Sequence, residues 1–157
     1  MKRYIRKAEK KDIEEIVKLL FELTSIEREM LNLEPPLMNE VSSRVNLDFI
    51  YKKGIEYFVC DINNEIVGVI RIEKFMEEAK ISEAFVKKEY RNKGIMTLLF
   101  EKCVEWSKNN EVNELYLTIV QENHLAYNFW VNLGFYETEL KNRLISMRKK
   151  VSKDIVK

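Results

Sequence analysis

Glycine and proline are scarce in this chain, at four and two of 157 residues. With only Gly54, Gly68, Gly94 and Gly134 present, neither G-x-G-x-x-G nor G-x-x-x-x-G-K-[ST] can be written anywhere, which excludes both glycine-rich phosphate loops. The prolines are adjacent, Pro35-Pro36, so no proline-rich linker divides the chain. Cysteine is limited to Cys60 and Cys103, without a C-x-x-C pair, and histidine to His124. That excludes a disulfide framework and a histidine–cysteine zinc site, and no metal is expected. Apolar runs of membrane-spanning length are missing, and Met1-Lys-Arg-Tyr-Ile-Arg is too polar for a secretory leader. A cytoplasmic location without membrane contact is the expectation. Charge of one sign is not in excess either: 27 Lys plus Arg against 26 Asp plus Glu give a net charge of +1. A duplex binder carries a basic face, so no nucleic-acid partner is expected.

What the chain does contain is ordinary for a globular protein, 46% hydrophobic and 34% charged residues. Its length suits a single domain over residues 1–151, followed by a flexible tail at 152–157. Cys60 and Cys103 lie in apolar surroundings and read as small buried hydrophobes in a reducing compartment. Residues 3–6 form a strand candidate. Asp12 opens a helix whose apolar face is Ile13, Ile16, Val17, Leu19, Leu20 and Leu23, and whose pattern fades near Thr24. Pro35-Pro36 then demands extended or turning backbone. Residues 41–51 read as a second helix. Two β-like runs, 56–62 and 65–72, flank an Asn63-Asn64 turn, and Gly68 in the second marks a bulge or a close backbone approach. A strand over 80–86, a helix ending at Asn109-Asn110 and a strand over 115–120 follow. Asn123 opens another helix that Gly134 stops, and residues 135–139 and 143–150 make a closing hairpin. This order implies an α/β fold, a mixed and mostly antiparallel sheet covered by helices on both faces.

The chain is organised around residues 86–99. A strand ends at Val86, a short cationic loop follows, and Ile95, Leu98, Leu99, Cys103 and Trp106 then fall on one helix face. A strand feeding a helix through such a loop aims free backbone N–H groups, with the helix dipole behind them, at one spot. That arrangement attracts phosphate, and Arg91 and Lys93 add charge beside it. A helix N-terminus that binds nothing fits the same residues.

The element order and two motifs resemble the GNAT superfamily of acetyl-CoA-dependent N-acetyltransferases, over roughly residues 2–150. Arg91-Asn-Lys-Gly94-Ile-Met96 is similar to the family's Arg/Gln-x-x-Gly-x-Gly/Ala pyrophosphate loop. Asn123, Ala126, Phe129, Trp130, Gly134 and Phe135 match its Asn-x-x-Ala-x-x-Phe-Tyr-x-x-x-Gly-Phe pattern, except that Trp130 replaces the tyrosine. The resemblance implies acetyl-CoA as acyl-donor substrate and an amine as acceptor. It places the pyrophosphate on Arg91, Asn92, Lys93, Gly94, Ile95 and Met96. It lays the pantetheine arm along the strand at Ala84, Phe85 and Val86, flanked by Asn123, Ala126 and Trp130, with the thioester oxygen on an N–H near Val86. Met96 departs from the family's small residue, and its side chain is expected to turn toward the packed side of the helix.

Acyl transfer to an alkylamine needs a proton acceptor, because at pH 7 an amine with the lysine pKa is neutral in about one molecule in 2,500. Glu83 is the candidate base, in phase with Ile81 and Phe85 if the strand alternates regularly. A solvated strand carboxylate fits the same position. Trp130 cannot protonate the departing thiolate, since an indole N–H donates a hydrogen bond but is no usable acid. It is expected to wall the thioester instead. Tyr127 is the candidate acid, against the readings of a packed aromatic or a water in its place. Glu27, Glu29 and Glu34 flank the family's acceptor region and hint at a cationic amine, whereas His124 is given no role. The enzyme reading stands beside a CoA-binding regulatory module that kept the fold and lost efficient catalysis. The acceptor and the oligomeric state stay open, a homodimer included.

Overall fold

The computed structural model describes residues 3–151; the tail expected at 152–157 lies outside the described residues. Among the described residues, seven strands form one sheet: β1 (Arg3–Lys7), β2 (Ile55–Ile62), β3 (Glu65–Phe75), β4 (Glu78–Val86), β5 (Glu114–Val120), β6 (Tyr136–Lys141) and β7 (Leu144–Lys150). Their spatial order is β1-β2-β3-β4-β5-β7-β6, and every neighbouring pair is antiparallel except β4 and β5. The helices are α1 (Ile13–Met30), α2 (Met38–Tyr51), α3 (Ile95–Asn109) and α4 (His124–Asn132).

The turns follow from local chemistry. Asn63 and Asn64 both have positive φ, 51° and 67°, the pair of left-handed residues that a two-residue hairpin needs and that asparagine tolerates. Asn142 and Arg143 repeat the device between β6 and β7, with φ of 53° and 66°.

Alternation along the strands divides the core into two layers. Tyr57, Val59, Ile66, Val69 and Phe85 face α1 and α2, meeting Ile16, Leu20, Val41 and Val45. Phe58, Cys60, Ile70, Ile81 and Leu117 face α3 and α4, meeting Leu99, Phe100, Cys103 and Trp130. Helices therefore cover both faces, as the sequence implies. Cys60 and Cys103 are free and buried, and burial pushes both thiols up. Gly68 does both things expected of it. The register slips beside it, and a Cβ there would stand 3.3 Å from Ile95, Leu99 and Val86 alike, so its bare backbone is what lets α3 lie close on β3.

One element differs from the sequence reading. α1 does not stop near Thr24 but runs to Met30. Ser25 does not break it, because its hydroxyl bonds back to the Phe21 carbonyl one turn earlier at 2.7 Å. Leu23 and Ile26 still pack on the α1–α2 layer. The C-terminus of α1 thereby reaches the far half of the sheet, where Arg143 donates to the Met30 carbonyl at 2.6 Å.

Candidate active site

The parallel pair β4–β5 is joined only at its start, Glu78–Lys80 against Glu114–Tyr116. Beyond Lys80 the strands part. Among the described residues, β4 from Ile81 to Val86 pairs with β3 alone, and its other backbone edge faces the gap. The loop to α3 opens from the end of that edge.

Arg91 folds back at the loop's start: its Nε donates to the Val86 carbonyl at 2.8 Å and its guanidinium lies over Phe85, 5.2 Å from the ring centroid. Asn92 and Gly94 take left-handed φ of 62° and 76°, with Lys93 between them, and Gly94 is the N-cap of α3. Lys93 is fixed by Arg3 on its carbonyl (2.9 Å) and by its ammonium over Tyr90. The first backbone bond of α3 is Leu98 N–H to the Gly94 carbonyl. Among the described residues, the amides of 92–97 have no acceptor within the protein. Left-handed turns ahead of a helix N-terminus make an anion cradle, and this one has the donors a pyrophosphate takes. Ile95 is buried and Met96 packs against the core layer of α3, so neither side chain blocks the amides.

Across the gap, Asn123 caps α4, its Oδ1 accepting from the Ala126 amide at 3.1 Å. Ala126 and Tyr127 are half-buried against the same core layer, Ala84 of β4 among its neighbours. Trp130 is 5% exposed, with Phe100, Phe129 and Phe135 edge-on around it at centroid distances of 5.7, 4.9 and 5.3 Å. That enclosure gives the indole a packing role in the seam between α3 and α4.

Regular alternation along β4 fails at Glu83. Opposite Ile70 the register slips, and Glu83 has φ of 55°, a rare conformation for a residue with a side chain. Ile81 and Phe85, two pleats either side, consequently lie on opposite faces. Glu83 is not in phase with Ile81 as the sequence suggests. The bulge aims it at α2, where Arg44 Nη2 donates to its Oε2 at 3.2 Å.

Glu27, on the last turns of α1, faces the same spot. Its carboxyl is held at about 7, by burial first and then by the charge of Glu83, against the pull of Arg44. Beside them Asp48 accepts from Tyr57 (2.6 Å) and Arg71 Nε (2.8 Å), and Arg71 also reaches Glu73 at 3.0 Å. Arg71 is thus already committed. Sequence reasoning named Glu27 only as one of several acids and missed Arg44. The signal was there: Leu20, Leu23 and Glu27 share a helix face, but only if the helix continues past Thr24.

Two other clefts lie away from the gap. One of about 410 Å³ holds Lys52, Glu56, Lys102 and Asn109, and one of about 640 Å³ holds Lys74, Glu77 and Asn113. Neither is lined by a residue of the loop at 91–97 or by Glu27, Glu83 or Asn123.

Strands that part beside a helix N-terminus leave a slot for an extended, phosphate-bearing ligand, and comparison with known proteins assigns the family. The model of the Acetyltransferase (GNAT) family matches residues 2–135, and the chain belongs to that family. It is 34% identical over 103 residues to an uncharacterized N-acetyltransferase of Methanocaldococcus jannaschii, covering 60% of this chain and 45% of the relative. It is 29% identical over 107 residues to an N-alpha-acetyltransferase of Saccharolobus solfataricus, covering 60% and 64%. It is also 29% identical over 92 residues to streptothricin acetyltransferase A of Bacillus subtilis, covering 58% and 53%. The chain thus spans about half the length of the curated relatives it matches. Among solved structures, a GNAT-family acetyltransferase of Staphylococcus aureus Mu50 superposes with a TM-score of 0.80 at 20% identity, over 96% of this chain and 100% of that one. PaiA N-acetyltransferase of Thermoplasma acidophilum, in complex with coenzyme A, superposes with 0.76 at 17%, over 96% and 99%. These likenesses show the fold.

Proposed function

We propose that this protein transfers the acetyl group of acetyl-CoA to a primary amine by direct attack in a ternary complex. One observation carries the reading: among the described residues, the unpaired edge of β4, Ile81 to Val86, leads from a carboxylate pair at Glu83 to an anion cradle beyond Val86. The cradle suits the donor's pyrophosphate, held by the amides of 92–97 with Arg91 and Lys93 alongside. The edge at Ala84, Phe85 and Val86 offers backbone groups to the pantetheine arm, which adds as a strand would. An N–H near Val86 then meets the thioester oxygen as negative charge develops on it. Asn123 and Ala126 flank the arm. Tyr127, half-buried on the turn before Trp130, is the proton source for the thiolate, which with an ordinary thiol pKa of about 8.5 needs little help. Glu27 and Glu83 fit a cationic acceptor.

A second reading, a CoA binder with weak catalysis, draws on Trp130, whose enclosed indole can supply no proton. Calorimetry and thiol release separate the two. Wild type should bind one acetyl-CoA per chain, and Arg91→Ala should weaken binding about 10- to 100-fold, the range of a charge-assisted contact. It should also release thiol from acetyl-CoA in the presence of spermidine, cadaverine or peptides with free α-amines. Binding without release for any of these supports the second reading. No binding at millimolar acetyl-CoA overturns both.

A further inference from the structure

The two carboxylates at the acceptor end are not equivalent. Glu83 is engaged by Arg44 at 3.2 Å, and its backbone is locked in the bulge. Its carboxylate is thus taken up by a partner from α2. Glu27 stands opposite, on an element that packs over β4, and among the described residues its carboxylate has no hydrogen bond or ion pair. Two acids with one cation between them leave one charge uncompensated, and the geometry leaves it on Glu27.

We propose that Glu27 takes the proton from the attacking ammonium, while Glu83 and Arg44 position it. The proposal rests on the acetyl-transfer reading above. The ammonium gives one proton to the Glu27 carboxylate and becomes a neutral amine. The nitrogen attacks the thioester carbon, the new C–N bond forms, and the C–S bond breaks as the oxyanion collapses. The nitrogen's second excess proton ends on the thiolate, leaving amide and free thiol, and Glu27 returns its own proton to solvent.

The groups around Glu27 support this. From β4 comes Glu83 and from α2 Arg44, while Arg71 of β3 is spent on Asp48 and Glu73. On α1 itself, Arg28 is turned to Glu40 and the Glu34 carbonyl. The Glu27 carboxyl therefore sits at about 7, raised by burial and by Glu83. A base poised near the working pH is half ionised there and still strong enough to take a proton.

The experiment measures kcat/KM from pH 5.5 to 10, with the panel amine that wild type acetylates fastest. Wild type should show an acidic limb breaking near 7. In Glu27→Gln that limb should vanish, and the rate should climb toward the acceptor's own pKa. The deficit, on the order of 10²-fold or more at pH 7, should then shrink below about tenfold at the alkaline end. Glu83→Gln should keep the limb but move it below 7, since a like charge has gone, and should raise KM more than it lowers kcat. Arg44→Met should move the limb above 7. A Glu27→Gln enzyme that keeps the limb, or is slower by one constant factor at every pH, overturns the assignment and leaves acetyl transfer standing. A wild type that acetylates none of the panel overturns acetyl transfer, and the role of Glu27 with it.

Discussion

At Glu27 the burial that lifts the carboxyl to about 7 acts on the folded chain only; unfolded, the group returns to roughly 4.3. The folded state therefore holds its proton more tightly. The stability this gives is complete below about pH 4.3 and is lost as pH rises through 7. Near neutrality and above, an ionised Glu27 strains the fold. Glu27→Gln should raise the unfolding free energy at pH 8, read from urea curves, by about 1 kcal/mol once its partial exposure is allowed for, and change little at pH 4. The same substitution should cost activity. A midpoint at pH 8 equal to or below wild type would show that the carboxylate is not held under strain. Glu83 carries strain of another kind, in its backbone, where φ of 55° costs a non-glycine residue on the order of 1–3 kcal/mol. Backbone strain of this sort concentrates at functional sites, and here it turns a carboxylate off the regular pleat toward α2.

At the scale of elements, the sequence was a good guide wherever a short stretch decides its own structure. The Asn63-Asn64 turn, the Asn123 cap and the alternation of Tyr57 and Val59 against Phe58 and Cys60 are all local chemistry, and each stands where it was read. The strand–loop–helix joint was legible for the same reason, because a left-handed φ such as the 76° at Gly94 is one that glycine takes without strain. What stayed hidden depends on partners far away in sequence. The length of α1 depends on its packing, and the bulge at Glu83 on the pairing of β4 with β3, and neither leaves a glycine or proline to mark it. Gly68 lies between these cases: its oddness was visible and its reason was not. Because three core methyl groups stand 3.3 Å from where its Cβ would be, Gly68→Ala requires Ile95 and Leu99 of α3 and Val86 of β4 to give way by a few tenths of an ångström. The expected cost is about 1–3 kcal/mol, as for other overpacked cores. Since Ile95 begins α3, the displacement also moves the loop amides, so acetyl-CoA should bind more weakly at temperatures where the variant is folded. Gly94→Ala meets no atom within 4 Å and should cost about 1 kcal/mol from backbone conformation alone. A Gly68→Ala variant as stable as wild type would argue against a steric role for Gly68.

Across the whole molecule, the edge of the sheet is tied to the start of α1 by one guanidinium. Arg6 on β1 grips Asp12 with both nitrogens, at 2.7 and 3.0 Å, and reaches Asp61 of β2 at 3.1 Å. Asp12 is only 4% exposed and takes a further bond from the Glu9 amide at 2.7 Å. Burial alone would push its carboxyl up. The bonds from Arg6 and Glu9 outweigh that and hold it below the usual carboxylate range. A depressed carboxyl stabilises the fold above its unfolded pKa of about 3.9, and this is lost as pH falls through the lower folded value. Arg6→Met keeps much of the aliphatic packing but strands a charge in the core. At pH 7 the loss should be about 2–3 kcal/mol, at the low end for a broken buried pair because Arg6 is itself partly exposed. Lowering the pH should close the gap from the variant's side: without Arg6, burial raises the Asp12 carboxyl, which then protonates and ceases to be an uncompensated charge. Urea midpoints at pH 7, 5 and 3 should therefore converge for the two proteins as acid is added. A difference that persists undiminished at pH 3 would mean that the side chain of Arg6 matters for its packing and not for its charge.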